Sequence, residues 1–509
     1  AKVAEGPKMR LTFDKIPGCI GKFESTVSMT LRSNDMKGLK KILTVRNKAV
    51  AYKIKRAKSS AEFNQAKLTK MDQINVDSAS DGYKAIEQKV KDALVEVELL
   101  KPQLIEQFFL EREDGAIEVP AGFYYLCSET DGSEKNTDLK PYFLPGLRDY
   151  QVEALQELYK VKRGTVELAT GLGKSLAITS AALAGVKSGK RVMVVVPTAY
   201  LVEQMYKTLK SHHANTTAIG GEYKHAALGW DIIVTTINSA QKHIDSATML
   251  LLDEAHHAPA STWTELLAGA DKATHVYNFT ATAFRADGLD LAIHAFGGPV
   301  VISRNARWGI DHRWLSKLKV IQVRIRPRRK DGSPLYLPAG TPATSAYKKL
   351  IADPLVAGFI CDKLQVILQK KGRVMTVFKT VKAAQAFKKQ IGAALEFTVA
   401  HADKSSSKFP KAPLYKFNKG EVDILVACVN LLAEGIDIPN TTHLLIATQH
   451  SGDVQTYQMV GRVLRKAPGK EIAIVLDVAV LGYDQFERSA DARLRVYKEL
   501  TDDVTEISI

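Results

Sequence analysis

The sequence predicts an α/β protein: two tandem parallel-sheet domains preceded by a small α+β N-terminal domain. Three observations predict it. A chain of 509 residues is too long for one ordinary core and suggests about three domains. From about residue 164 onward, short β-branched runs alternate with helical stretches, and the pattern occurs twice. The first 138 or so residues lack that alternation and form a unit of their own.

The N-terminal unit, 1–138, mixes short alternating stretches with one helix-like run. The stretches are "KFESTVSMTL" and "AIEVPAGFYYL"; the run is "YKAIEQKVKDALVEVELL". The segment "SETDGSEKNTDLKP" (128–141) is polar, rich in turn formers, and reads as a linker. The second unit, 139–315, holds "GTVEL" (164–168), "RVMVVVP" (191–197), "DIIVTT" (231–236), "TMLLLD" (248–253) and "HVYNFTAT" (275–282). Such near-continuous apolar runs are what strands buried on both faces look like, and the intervening helices imply βαβ crossovers. The third unit, 316–509, repeats the texture with "VMTVFK" (374–379), "LEFTVAH" (395–401), "DILVAC" (423–428), "HLLIAT" (443–448) and "EIAIVLD" (471–477). "RPRRKDGSPLYLPAGTP" (326–342), rich in proline, glycine and charge, reads as a loop or hinge between the two α/β patterns.

Composition narrows the function. At 45% hydrophobic and 25% charged the chain reads as soluble and globular. There is no run of about 18 uncharged apolar residues, so no membrane span is expected. "AKVAEGPKMR" lacks the apolar centre of a secretory signal, and Met9 is a candidate natural start behind a short leader. Cys19, Cys127, Cys361 and Cys428 are far apart in sequence without a CxxC pair, which points to free or buried thiols in a reducing compartment.

The formal charge of +16 makes a polyanion a fair partner, because lysine and arginine on phosphate release counterions. The excess is clustered. Lys37, Lys40, Lys41, Arg46, Lys48, Lys53, Lys55, Arg56 and Lys58 fall in one stretch with no acid. "KLKVIQVRIRPRRK" (317–330) is a second cluster. Each reads equally well as a solvated face. Tyr52 lies within the first, where it could stack on a base or belong to the core.

"VELATGLGKSLAITSAA" (166–182) places a β-run, a glycine-rich turn, Lys-Ser and a helical run in succession. That geometry aims backbone N–H groups and a helix N-terminus at phosphates. Gly171 and Gly173 let the backbone approach, Lys174 reaches the terminal phosphates and Ser175 is a Mg²⁺ ligand. Leu168 stands where the general phosphate-loop pattern has glycine. "LLLDEAHHAP" (250–259) ends another β-run, so Asp253 and Glu254 fall at the carboxyl end of a strand, where open α/β sheets bind ligands. Asp253 then suits Mg²⁺ and Glu254 suits the attacking water. A zinc site is disfavoured, since His256 and His257 are adjacent and the glutamate precedes both.

These residues, with those around them, resemble the superfamily 2 DExH-box helicases and translocases over about 140–480. "LRDYQ" (147–151) resembles their adenine-reading glutamine motif, "ATGLGKS" motif I, "VVVPTAYLVEQ" (194–204) motif Ia and "DEAH" motif II. "TATAFRADG" (280–288) resembles motif III, "ACVNLLAEGIDIP" (427–439) motif V and "YQMVGRVLR" (457–465) motif VI. In motif I of this family the glycine missing at 168 is ordinarily absent. Val429-Asn430 departs from the Thr-Asp of many relatives, though Asn430 can still bond a phosphate. Motif IV, near 377–385, carries no weight.

The resemblance implies RecA-like motor domains and a set of roles. Arg148 and Gln151 would hold adenine. Thr170, Gly171, Gly173, Lys174 and Ser175 would hold the phosphates, with Ser175 and Asp253 on Mg²⁺. Glu254 would be general base, and Thr280 and Thr282 would couple hydrolysis to motion. Gly435 and Asp437 would bridge nucleotide and second motor domain. Gln458, Arg462 and Arg465 would reach the γ-phosphate. Pro197, Thr198, Thr236 and Asn430 would touch nucleic acid, and Lys53, Lys55, Arg56 and Lys58 are the further candidates from the basic stretch.

The motif set and the layout look most like the compact DNA-directed group that includes UvsW-type phage enzymes. The expectation is an ATP- and Mg²⁺-dependent DNA helicase or translocase acting on forked or branched duplex in replication, recombination or repair. It would work in the cytoplasm of a bacterial or phage-infected cell, beside other replication or recombination proteins. A restriction or remodelling motor subunit and an RNA helicase are the alternatives. A binding protein with a dead ATPase site is disfavoured, because Lys174, Asp253, Glu254 and Arg465 are all present.

Overall fold

The computed structural model describes residues 15–23, 28–46, 48–73, 78, 80–100, 105–107, 110–135, 138–224, 229–254, 266, 270–282, 294–295, 297–338, 340–380, 382–384, 387, 398–400, 411–428, 438, 440–450 and 452–509. His256, His257, Asn430, Gly435 and Asp437 lie outside them.

The N-terminal unit is built on a five-stranded mixed sheet in the order β5-β6-β2-β1-β7. Its strands are β1 (Ile16–Phe23), β2 (Ser28–Arg32), β5 (Leu110–Glu111), β6 (Ile117–Pro120) and β7 (Cys127–Thr130). A two-stranded ribbon, β3 (Thr44–Arg46) with β4 (Ile105–Gln107), closes the base of a helical hairpin. The hairpin is Lys48–Gln73 packed on Asp81–Leu100. The second helix is the one expected from the sequence. The first was read only as a basic stretch, because its buried stripe is Ala57, Ala61, Asn64 and Leu68, with one large apolar residue among four. Cys19 and Cys127 are both buried, on the adjacent strands β1 and β7, so two cysteines distant in sequence are close in the fold.

This unit is fixed to the first motor domain. Tyr124 in the 3₁₀ turn Ala121–Leu126 donates its hydroxyl to Arg163 O at 3.0 Å, and Tyr125 meets the His294 ring. The expected linker is strapped down. Lys162 N donates to Glu134 O at 2.8 Å, Lys190 pairs with Asp138, and Leu139 is buried in the motor core. Its polar residues find partners on the domain they cross, which sequence spacing does not show.

The first motor sheet has β8 (Arg163–Leu168), β9 (Val192–Val196), β10 (Thr216–Ile219), β11 (Ile232–Thr236), β12 (Met249–Asp253), β13 (His275–Thr280) and β14 (Val300–Arg304). All are parallel, in the order β10-β11-β9-β12-β13-β8-β14. The second has β15 (Lys317–Ile325), β16 (Val374–Phe378), β17 (Thr398–Ala400), β18 (Ile424–Cys428), β19 (His443–Ile446), β20 (Ile472–Val480) and β21 (Val504–Ser508). These are also parallel, in the order β17-β18-β16-β19-β20-β15-β21. Two RecA-like parallel-sheet domains thus follow a small α+β domain.

Two expectations change. The second basic cluster begins as β15, inside the second sheet, with Leu318, Val320, Val323 and Ile325 buried. Its Arg324 pairs with Asp491 at 2.6 Å and Arg326 with Glu487 at 3.5 Å, so these two charges serve the fold. It follows that 326–342 lies within the second domain and is not a hinge between domains. The chain crosses instead through Ala306–Asp311 and the residues up to β15. There Arg307 makes a bidentate pair with Asp502, at 3.2 and 2.7 Å.

Candidate active site

Five residues, 169–173, turn the chain from β8 into the helix Lys174–Lys187. The turn needs left-handed backbone at Gly171 (φ 93°) and Gly173 (φ 80°), which glycine adopts without a Cβ penalty. The helix opens on Lys174 and exposed Ser175, so its unpaired N–H groups and positive dipole end face the space above the sheet.

β12 delivers Asp253 and Glu254 to the same edge. Glu254 is held at φ 50°, a left-handed conformation that costs a non-glycine residue free energy and often marks a functional site. Its Oε1 lies 2.6 Å from Lys174 Nζ. Its Oε2 accepts from Ala281 N at 3.0 Å and from Thr280 Oγ1 at 3.2 Å, so the last residue of β13 and the one after it grip the carboxylate. Thr280 Oγ1 in turn accepts from Thr282 N at 3.2 Å.

Asp253 is buried. Desolvation first, and then the neighbouring Glu254 charge, pushes its carboxyl up to about 7 against the opposing pull of Lys174 and Arg462. Its Oδ1 has no hydrogen-bond partner among the described residues. A buried carboxylate oxygen short of positive charge, across the edge from Ser175, fits a hard cation such as Mg²⁺ brought in with a nucleotide.

Gln151 follows from the helix Asp149–Leu158. Its amide nitrogen donates to Leu172 O at 2.9 Å and Gly173 O at 3.2 Å, and its oxygen accepts from Arg148 N at 2.9 Å. Both amide donors are therefore spent on the phosphate loop in this state, and a base could engage them only by exchange. Tyr150, which sequence reasoning passed over, also donates to Leu172 O at 2.8 Å. Arg148 donates to Tyr150 Oη at 2.9 Å and lies over the Trp314 ring.

The second motor domain closes on this loop with the helix Asp453–Val463. Gly461 makes the approach possible: a Cβ there would lie 2.8 Å from Thr170 Cβ. Arg465 Cγ would lie 3.0 Å from a Cβ on Gly171, and Arg462 is buried close enough to act on the Asp253 charge. Gln458 is buried on the same helix. The fold thus gathers Arg148, Gln151, Thr170, Gly171, Gly173, Lys174, Ser175, Asp253, Glu254, Thr280, Thr282, Arg462 and Arg465 around one cleft.

The candidate nucleic-acid residues fall elsewhere, in two groups. Pro197 and Thr198 follow directly on β9, and Thr236 ends the adjacent β11, so they share one sheet edge. Lys53, Lys55, Arg56 and Lys58 are exposed on the first helix of the N-terminal hairpin.

A phosphate loop and paired acids on one domain, met by arginines from a second of the same fold, define a nucleotide-driven two-domain motor. Comparison with known proteins agrees. Residues 145–285 match the family described as "Type III restriction enzyme, res subunit", and 360–467 match "Helicase conserved C-terminal domain". The chain is 24% identical over 411 residues to the DNA 3'-5' translocase XPB2 of Sulfurisphaera tokodaii, covering 73% of this chain and 90% of that protein. It is 23% identical over 403 residues to the ATP-dependent DNA helicase uvsW of Enterobacteria phage T4, covering 74% of each. A fragment of a type I restriction HsdR subunit from Vibrio vulnificus shares the fold, with TM-score 0.55 at 18% identity over 74% of this chain and 71% of that one. The chain resembles the superfamily 2 helicases, the UvsW type among them, across both α/β domains. No helix among the described residues is long and apolar enough to cross a membrane.

Proposed function

We propose that the chain is an ATP- and Mg²⁺-dependent DNA helicase that unwinds or branch-migrates forked and branched duplex. The observation that carries this reading is the shared cleft: Arg462 and Arg465 of one motor domain stand against the phosphate loop and acids of the other. Phosphoryl transfer needs positive charge on the departing oxygens, and an arginine from a second domain supplies it only when the cleft is shut. Hydrolysis is thereby tied to domain closure.

The resting contacts suggest the order of events. Lys174 holds Glu254 at 2.6 Å. Phosphates entering the loop compete for the Lys174 ammonium and leave Glu254 oriented by Thr280 and Ala281, able to take a proton from the attacking water. Mg²⁺, held between Ser175 and Asp253, would supply charge against the β- and γ-phosphate oxygens. Because Thr280 touches the base, loss of the γ-phosphate is sensed by a strand end that packs in the first motor sheet.

In this reading 1–138 is an accessory DNA-binding domain, 139–315 the ATP-binding motor domain and 316–509 the helicase C-terminal domain. The similar translocase and helicase act, by their names, on DNA. The exposed basic helix would hold phosphates of a duplex arm without reading sequence, which suits substrates defined by shape. Work in replication, recombination or repair, in a bacterial or phage-infected cytoplasm, belongs to the same proposal.

The test compares ATPase rates with no nucleic acid, single-stranded DNA, linear duplex, a fork, a four-way junction and duplex RNA. Strongest stimulation by fork and junction is expected. Equal stimulation by linear duplex would instead favour a restriction or remodelling motor, the second reading that the res-subunit match supports. Strongest stimulation by RNA would overturn the DNA assignment.

A further inference from the structure

The loop after β15 is a mounted hairpin. Arg328 bridges Pro334 in antiparallel fashion, Arg329 N donates to Ser333 O at 2.8 Å, and Leu335 N donates to Pro327 O at 2.8 Å. Asp331 caps the turn by accepting from Ser333 N at 2.9 Å and Ser333 Oγ at 2.6 Å. The return strand is pinned to the domain, since Leu337 N donates to Gly482 O and Tyr483 Oη to Thr341 O, both at 2.8 Å. Gly482, at φ 100°, sits so close that a Cβ would run into Leu335 O.

The base is thus rigid, while the tip Arg328-Arg329-Lys330 is exposed and makes no ion pair with any described residue. Beside it Tyr336 is 55% exposed, with the Arg326 guanidinium 4.8 Å from its ring centroid. Arg328 Nη1 donates to Gly332 O at 3.0 Å within the turn and Arg329 acts on the nearby Asp331, while Asp491 and Glu487 pair with Arg324 and Arg326, so the turn still carries a surplus of positive charge outward.

A second observation says what they face. Phe63, on the basic helix of the N-terminal hairpin, lies 4.0 Å from a Cβ placed on Gly340, in the segment that returns from this turn. Phe63 is 56% exposed, and Lys67 Nζ stands 4.5 Å over its ring. The helix that carries the first basic cluster and the segment that returns from the second therefore touch at Phe63 and Gly340, with an exposed aromatic ring, Phe63 or Tyr336, on each side.

We propose that the hairpin tip Arg328, Arg329 and Lys330, with Tyr336 beside it, is a second nucleic-acid contact that takes the phosphate backbone of the duplex arm lying along the helix Lys48–Gln73. It rests on the DNA-motor reading and extends it. One arm of a fork is gripped by the N-terminal domain and the second motor domain together, so that movement between motor domains is transmitted to that arm. Cations spaced along such a surface recognise backbone and leave bases unread.

The test is the triple variant Arg328→Gln, Arg329→Gln, Lys330→Gln in the full chain, whose side chains lie outside the core. Fork affinity is measured against salt, beside ATP turnover without nucleic acid. Each lost phosphate contact lowers the log–log salt slope by about 0.9. A slope shallower by about 2 to 3 and a several-fold weaker fork complex are expected, with basal turnover unchanged. A variant with Lys53, Lys55, Arg56 and Lys58 changed to glutamine should lose slope on the same substrate. Unchanged slope and affinity in the triple variant, with the wild type still stimulated by DNA, would overturn the hairpin contact alone. A wild type that no nucleic acid stimulates would overturn the motor reading itself.

Discussion

In both motor sheets the third strand in chain order lies at one edge, followed across by the fourth, second, fifth, sixth, first and seventh. The same wiring brings the same strand ends to the same edge, yet those ends carry different chemistry. After its first strand the first motor sheet has a five-residue glycine loop opening on Lys174; the second has the long basic hairpin. At the end of its fifth strand the first motor sheet presents Asp253 and Glu254. The other leads through His450 to the helix that carries Arg462. The lesson is that topology fixes where a site can be, and loop residues decide what it does. One sheet keeps the phosphates and acids; its twin supplies the charge that completes them.

That division can be broken at several points. Largest in effect should be Lys174→Ala or Glu254→Gln, which remove groups that meet nucleotide and attacking water. Steady-state ATP turnover should fall by about 100- to 1,000-fold or more, with DNA binding retained in a filter or anisotropy assay. Normal turnover in either variant would mean that the cleft is not the hydrolytic site.

Next is the frame of the second domain. Arg493 and Asp477 are fully buried and paired bidentately at 2.9 and 3.0 Å, and Gln322 and Tyr497 also donate to Asp477. Arg493 Nη1 donates to His450 O at 2.8 Å, and His450 Nε2 contacts Thr456 Oγ1 at 3.0 Å on the Arg462 helix. Arg493→Ala strands a buried carboxylate and should cost about 3–5 kcal/mol, read as a lower denaturant midpoint. A loss under about 1 kcal/mol would mean that the network relaxes freely.

Smaller still is the effect of neutralising Lys53, Lys55, Arg56 and Lys58. Fork binding should weaken and its salt slope flatten while basal turnover holds. An unchanged slope would make the helix only a solvated face.

The pH response should be the most gradual and should draw on both domains. Burial, the largest cause in each case, lowers His275, His294 and His443 to about 4, against an unfolded value near 6.5. These groups are neutral in the folded chain. Their stability contribution is present above about pH 6.5 and is lost as pH falls towards 4. Each adds a slope of at most about 1.4 kcal/mol per pH unit within that window. His443→Gln should flatten the acid limb of a Tm-versus-pH curve, and an identical limb would contradict the burial argument.

How much of this was legible in the sequence varied with burial. Strands covered on both faces read clearly as apolar runs, and β9, β11 and β12 fall within a residue or so of expectation. The edge strands β10, β14 and β21 passed unnoticed, since they are short or polar on one side. β15 was masked by its own lysines and arginines. The helix Lys48–Gln73 escaped because alanine and asparagine make most of its buried stripe. Among site residues, identity was legible from motif and spacing, and partnership was not. Nothing in "LRDYQ" shows that Gln151 spends both amide donors on the loop, or in "DEAH" that Glu254 sits at φ 50°. Those are consequences of long-range approach, as is the Gly461 contact with Thr170.

The central claim is that hydrolysis needs both motor domains at one nucleotide. The most direct measurement is single-turnover ATP hydrolysis by Arg462→Ala, with nucleotide affinity measured in parallel. A hydrolysis rate lower by about 1,000- to 100,000-fold, with nucleotide still bound, is the expected result. Hydrolysis at the wild-type rate would show that the first motor domain completes the chemistry alone.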